Sequence, residues 1–329
     1  MSIIFRKFAD MAIIRISILL LLLSLGRMSS IAQPGKTTNL AQLKEKEDSL
    51  KAIAPNIVMA REAGDRFRAD SHFTRLLVRA LKVPHSFNYP FDSILNISRL
   101  YAPDSSFRIF TWQVVKDESM ARRHGAIQMK TADGSLKLFP LIDKTLMVEN
   151  QNDTITGPEA WIGAIYYKIV KTQHEGKNFY TFLGYDEHSM RSTKKRIEVM
   201  HFDTQGKPVF GGPYISFQED SLRKPTQARF AIEYKKDGNA RLQFDQDMDM
   251  IIFDHLIPEN GEKNKLYTYI PDGDYEGFKW KSGKWVHVDK VFNFALKDGE
   301  VPLPSPLTED KFGNKGGTTP APKKKKGGN

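Results

Sequence analysis

The chain has 329 residues, a formal net charge of +10 and no cysteine. The charge sits at the ends, with +3 in residues 1–32 and +5 from Asn314 onward, which leaves +2 for the body between them. A nearly neutral body excludes a nucleic-acid-binding domain, whose affinity rests on clustered phosphate-facing cations, and the absence of cysteine excludes both a disulfide scaffold and a thiol nucleophile.

The first element is an export signal. Ile16 to Leu25 is a ten-residue apolar run, too short to span a bilayer, and Ser30-Ile31-Ala32 places small residues where a signal peptidase reads. Residues 1–32 are therefore expected to be a signal peptide, with the mature chain starting at Gln33. Asp10 is out of place in a basic n-region, which favours Met11 as the start and Arg15 as its charge. No long apolar segment follows, so no transmembrane span is expected after cleavage. The destination is periplasmic, outer-envelope associated or extracellular.

Residues 33–100 form a helical region. Leu40, Leu43, Glu47 and Leu50 begin a 3.6-residue rhythm that Pro55 is expected to interrupt, and the rhythm resumes from Ile57 to Leu81. Phe67, Phe73, Leu76, Leu77 and Leu81 share a stripe that Arg61, Arg68, Arg75 and Lys82 avoid. Asp92 is placed to cap a short helix through Ser98.

From Phe107 the period changes to two. Arg108–Trp112, Ala126–Lys130, Leu136–Leu141, Ile162–Val170, Phe179–Tyr185, Arg196–Phe202 and Arg229–Lys235 read as strands. In the last of these, Phe230, Ile232 and Tyr234 point inward while Arg229, Glu233 and Lys235 point outward. Asp133-Gly134, Gln205-Gly206, Asp237-Gly238 and Ser282-Gly283 supply turns between runs. The fold class is α+β: a helical N-terminal segment, then a large antiparallel β region over 101–296 as a meander, sandwich or barrel. The Pro/Gly/Lys-rich tail 297–329, with Lys323 to Lys326, has little to bury and reads as disordered. Its tetralysine run is suited to an anionic surface.

The strands Phe107–Gln113, Gly125–Gln128, Tyr166–Ile169, Leu183–Asp186, Ile251–Leu256 and Pro271–Trp280 together resemble a group of uncharacterised secreted, β-rich proteins of Gram-negative bacteria. The resemblance covers residues 84–290 and implies an envelope location and a β-rich fold. It carries no activity and no catalytic residue.

Candidate sites are sparse, and no cofactor motif is present. Asp245, Asp247 and Asp249 fail as a calcium loop, since positions six and twelve are Met250 and Leu256, and they read as a hairpin turn. Asp272-Gly273-Asp274-Tyr275-Glu276-Gly277 comes closer, with Asp272, Asp274 and Glu276 as possible metal ligands, but Gly283 at position twelve supplies no carboxylate. His201 with Asp203 and Asp254 with His255 are the close His–carboxylate pairs. The two Ser-x-x-Lys matches, at Ser192 and Ser221, lack the partner motifs of penicillin-recognising enzymes. Trp161, Tyr275, Trp280 and Trp285 are candidate platforms for a sugar ring or a peptide. Asp-[Ser/Thr]-apolar triplets mark Ser49, Ser93, Thr154 and Ser221 as possible O-glycosylation acceptors, with Thr154 the best placed in a polar loop and Ser93 the worst. The function these features favour is non-catalytic binding or structure in the envelope, with an envelope glycan or protein as partner. The alternative is a glycan hydrolase drawing two carboxylates from Asp247, Asp249, Asp254 and Glu276.

Overall fold

The computed structural model describes residues 34–117, 120–221 and 223–292. The expected signal peptide (residues 1–32), its expected cleavage point before Gln33 and the tail 297–329 lie outside the described residues. The described chain is α+β, with two helices followed by three β-sheets stacked in layers.

Helix α1 (Pro34–Met59) and helix α2 (Ala63–Leu81) are antiparallel neighbours in sequence. The expected break at Pro55 is not there: α1 runs through it and ends at Met59. Proline removes one helical donor, but Leu50, Ala54 and Ile57 around it are fully buried and hold the turn in place. The chain breaks at 60–62 instead, where the Arg66 guanidinium takes the carbonyls of Ala60 and Arg61 at 2.8 Å each and that of Val115 at 2.7 Å. One side chain thus takes two carbonyls of the corner between the helices while tying that corner to a strand.

The helix expected from Asp92 to Ser98 does not form. Phe91 and Asn96 adopt left-handed backbone angles (φ 57° and 64°), and Phe91, Ile94 and Ile97 turn inward to the core beneath the helices.

The first sheet is the meander β1 (Ser98–Tyr101), β2 (Phe107–Asp117), β3 (Met120–Met129) and β4 (Lys137–Ile142). The second orders β10 (Arg229–Lys235), β7 (Ser192–Phe202), β6 (Lys177–Asp186) and β5 (Ile165–His174), with the short β8 (Pro208–Phe210) also on β7. The third orders β11 (Leu242–Asp245), β12 (Met250–Pro258), β13 (Tyr269–Lys281), β14 (Lys284–Val288) and β9 (Ile215–Ser216). All pairings are antiparallel except β14 with β9, so the β region is not wholly antiparallel.

Strand parity shows how the layers stack. On β2, Phe110, Trp112 and Val114 join the core under α1 and α2, whereas Phe107 and Ile109 face the second sheet. On β6, Tyr180 and Phe182 meet the first sheet, while Phe179 and Leu183 meet the third. The order is thus helices, first sheet, second sheet, third sheet. A strand buried on both faces reads as a continuous apolar run, not an alternating one, which is why Phe107 to Trp112 is buried without exception. Arg229 corrects the sequence expectation for the same reason. It points away from Ile232 and Tyr234, but that face is covered and Arg229 is 1% exposed.

Candidate ligand groove along strand β10

Strand β10 is an edge of the second sheet, and a groove of about 580 Å³ runs beside it. One wall is β10 itself, through Phe230 to Glu233. The opposite wall is Phe253 to Leu256 of β12 with Tyr269 and Glu276 of β13, and the loop from Glu149 to Asp153 closes a third side. Edge position matters because a strand partnered on one side only leaves backbone groups open to a ligand.

Two arginines fix the loop side. Arg229 ion-pairs with Glu198, which also accepts from Tyr166 Oη, and Arg229 donates to the carbonyls of Gln151 (3.1 Å) and Thr154 and to Thr156 Oγ1 (2.8 Å). Arg196 donates to Asp186 at 2.7 Å and to Gln151 Oε1 at 2.8 Å. Arg123 holds the other oxygen of Asp186. Burial pushes the Asp186 carboxyl up, but Arg196 and Arg123 outweigh it and keep it below its ordinary value. Loop 149–153 is therefore tethered to a buried ionic frame. At the rim, Lys194 pairs with Glu233 at 3.2 Å.

The β12–β13 wall carries a chain of alternating carboxylates and imidazoles. Asp272 Oδ2 lies 2.7 Å from His255 Nδ1, and His255 Nε2 lies 3.7 Å from Glu276. The second Glu276 oxygen is 2.7 Å from His287 Nε2, and His287 Nδ1 is 3.0 Å from both Asp220 oxygens. Local sequence builds this chain. Phe278 pairs with His287 in register, so Glu276, two residues along β13, shares that face. Between Asp254 and Leu256 the register against β13 jumps from Tyr275 to Pro271. The extra residues bulge out at Gly273 (φ 100°), where Asp274 N–H closes onto Asp272, and Asp272 reaches His255. Burial pushes the His287 imidazole down, but hydrogen bonds to Glu276 and Asp220 outweigh it and raise it above its ordinary value. Burial raises the Asp254 carboxyl, although Arg241 N–H donates to it at 2.6 Å.

Several sequence-based sites are corrected. Trp161 and Trp285 are fully buried and cannot be platforms: their indole N–H groups donate at 2.8 Å to Tyr166 Oη and Thr181 Oγ1 inside the stack. Trp280 and Tyr275 are half-buried, Trp280 packed on Phe179 and Trp285, and Tyr275 under the Arg241 guanidinium. None of the four lines the groove, whose rings are Phe230, Phe253 and Tyr269. Asp272, Asp274 and Glu276 do not converge. The bulge sends Asp274 outward toward Lys290 (4.0 Å) while the other two meet at His255. Among the described residues no group of His, Asp or Glu is arranged to hold a metal ion.

The sequence neighbours Asp254 and His255 have different partners, and Asp203 closes its own turn through the N–H groups of Gln205 and Lys207. Asp247 and Asp249 lie exposed at the β11–β12 turn, and the nearer, Asp249, is about 16 Å along the chain from Asp254. Of the four carboxylates considered for hydrolysis, Asp254 and Glu276 line the groove. Ser49 and Ser221 are exposed, while Ser93 and Thr154 are half-buried, and Thr154 Oγ1 donates to Asn150 O at 2.8 Å. His287 meets Asp220 across 67 residues of chain and Glu198 meets Arg229 across 31, so neither pair leaves a spacing signal in the sequence.

Set beside known protein families, curated proteins and solved structures, the chain matches none. Among the described residues no helix is long and apolar enough to cross a membrane.

Proposed function

We propose that this protein is an exported, non-catalytic binding component of the cell envelope that holds a hydroxyl-rich glycan in the groove along β10. The observation that carries this reading is the chemistry of the groove wall. Its lysine and arginine are already matched, Lys194 with Glu233 and Arg196 with Asp186, so the ligand meets amides and carboxylates such as Gln227, Asp254 and Glu276. Such groups suit a neutral polyhydroxyl ligand, and Phe230 and Tyr269 offer apolar faces to its rings. Export rests on Ile16–Leu25 and Ser30-Ile31-Ala32, and N-terminal sequencing of the exported protein should read from Gln33. The binding test is calorimetric titration with soluble envelope glycan fragments. Gln227→Ala and Tyr269→Ala should each weaken binding about tenfold; unchanged affinity in both would remove the groove from consideration.

A second reading, hydrolysis of the same glycan, is favoured by one observation: burial raises the Asp254 carboxyl, as a general acid requires, in a groove that also holds Glu276. Shortened glycan products that vanish in Asp254→Asn, with binding retained, would select it.

A further inference from the structure

We propose that the solvent face of α2 docks the protein onto a bilayer surface of anionic phospholipid headgroups, independently of the groove. Arg68, His72, Arg75, Arg79 and Lys82 follow one another at steps of four, three, four and three residues, and all are exposed. Such spacing sets side chains on one face of a helix, here over about 21 Å of its length. Arg68 pairs with Asp65, but among the described residues Arg75, Arg79 and Lys82 have no acidic partner. Asp70 is the one acid between Arg66 and Lys82, and it is buried, accepting from Trp112 Nε1 at 2.7 Å. Beyond Arg68, the row is therefore cationic without an ion-pair partner among the described residues.

A depression of about 590 Å³ lies on the same face, among Gly64, Phe67, Arg68, Ser71, His72 and Arg75. It offers a seat for one phosphate between guanidinium, imidazole and hydroxyl donors, and guanidinium is the cation best shaped to grip a phosphate through two hydrogen bonds. A single straight row on the outermost layer fits a plane of headgroups better than a wrapped polymer. The layer order adds a consequence: the helices and the third sheet are at opposite ends of the stack, so docking through α2 leaves the β10 groove away from the lipid.

The test is co-sedimentation of the full processed chain with vesicles of phosphatidylcholine, with and without about 30 mol% phosphatidylglycerol. Binding should need the anionic lipid and weaken as salt is raised. R75Q/R79Q/K82Q should reduce binding on the order of a hundredfold, at about fivefold for each of the three charges removed, and an unchanged melting temperature shows that it folds. R75K/R79K, which keeps the charge but loses the paired guanidinium donors, should bind more weakly than the parent and well above the glutamine triple variant. A second variant carrying glutamine at Lys323 to Lys326 separates the tail, and it should keep most of the binding. Equal binding by the parent and the α2 triple variant, complete loss in the tail variant, or tighter association with duplex DNA than with vesicles would overturn the proposal.

Discussion

Arg108 and Arg229 are both 1% exposed and sit one layer apart, yet they are held in opposite ways. Arg229 faces Glu198, with neighbouring carbonyls completing its shell. Arg108 has no carboxylate. It donates to Gln128 Oε1 (2.8 Å), Tyr89 O (2.5 Å), Ser86 O (2.8 Å) and Tyr101 Oη (2.8 Å), and lies over the rings of Phe87, Phe91, Tyr101 and Phe110 at 4.8–5.7 Å. Burial lowers it to about 10, which leaves it charged at neutral pH. One charge is thus buried by an opposite charge, the other by dipoles and π faces. The two solutions should fail differently, because removing one partner of an ion pair strands a full charge, whereas removing Arg108 strands neutral acceptors.

The largest effect is expected at the paired site. Glu198→Gln leaves Arg229 buried without its counter-charge and weakens the contact with Tyr166 Oη, so urea unfolding should show a loss of about 3–5 kcal/mol. Arg108→Met fills similar space and removes the charge with its donors. The carbonyls of Ser86 and Tyr89 lose their hydrogen bonds, at a cost of about 2–3 kcal/mol in the same assay. If Arg108→Met proved the more damaging, the aromatic cage would be holding more than its geometry indicates.

How much of this was legible in sequence follows from the same two residues. Alternation in Arg229–Lys235 located the strand and its apolar face correctly, and the Arg108–Trp112 run located β2. What alternation cannot supply is the identity of the opposite side. A polar residue on the far face is taken as solvated, and in a stack of four layers that far face meets another layer. Arg229 was hidden for this reason, and Trp161 and Trp285, read as platforms, lie inside the stack as well. The Asp245–Asp249 turn was legible because its chemistry is local: Asp245 Oδ1 accepts from Asp247 and Met248 N–H at 3.0 and 2.9 Å. In the groove, Glu276 was singled out as a metal ligand, but its partners His255 and His287 depend on a bulge and a register that only folding supplies.

A smaller loss is expected at the corner between the helices. Arg66→Ala frees the carbonyls of Ala60, Arg61 and Val115. These groups are near solvent and water can replace the guanidinium, so the loss should be about 1–2 kcal/mol. Hydrogen exchange should speed first at the end of α1, and uniform acceleration through α2 would show that the corner carries more of the fold.

His287 sharpens the comparison without changing any arginine, because its charge can be removed by pH. It lies between Asp220 and Glu276 and against Phe217, Phe253 and Phe278, so it is held by charge on two sides and by rings on the others. Its folded pKa is raised above the ordinary 6.5. The stabilisation it provides is therefore complete below about pH 6.5 and is lost as pH rises through the folded value. Once neutral, the imidazole donates to one carboxylate only, and the other faces a lone pair. Melting temperature should fall from pH 6 to pH 9 in the parent and fall less in His287→Asn, while Arg108→Met should keep the parental slope, since the Arg108 charge does not titrate in that range. The Asp186 cluster does not interfere. Its carboxyl is lowered, so its contribution is present above about pH 3.8 and is lost only as pH falls through the folded value. An unchanged slope in His287→Asn would mean that the two carboxylates hold this end of the third sheet without the imidazolium between them.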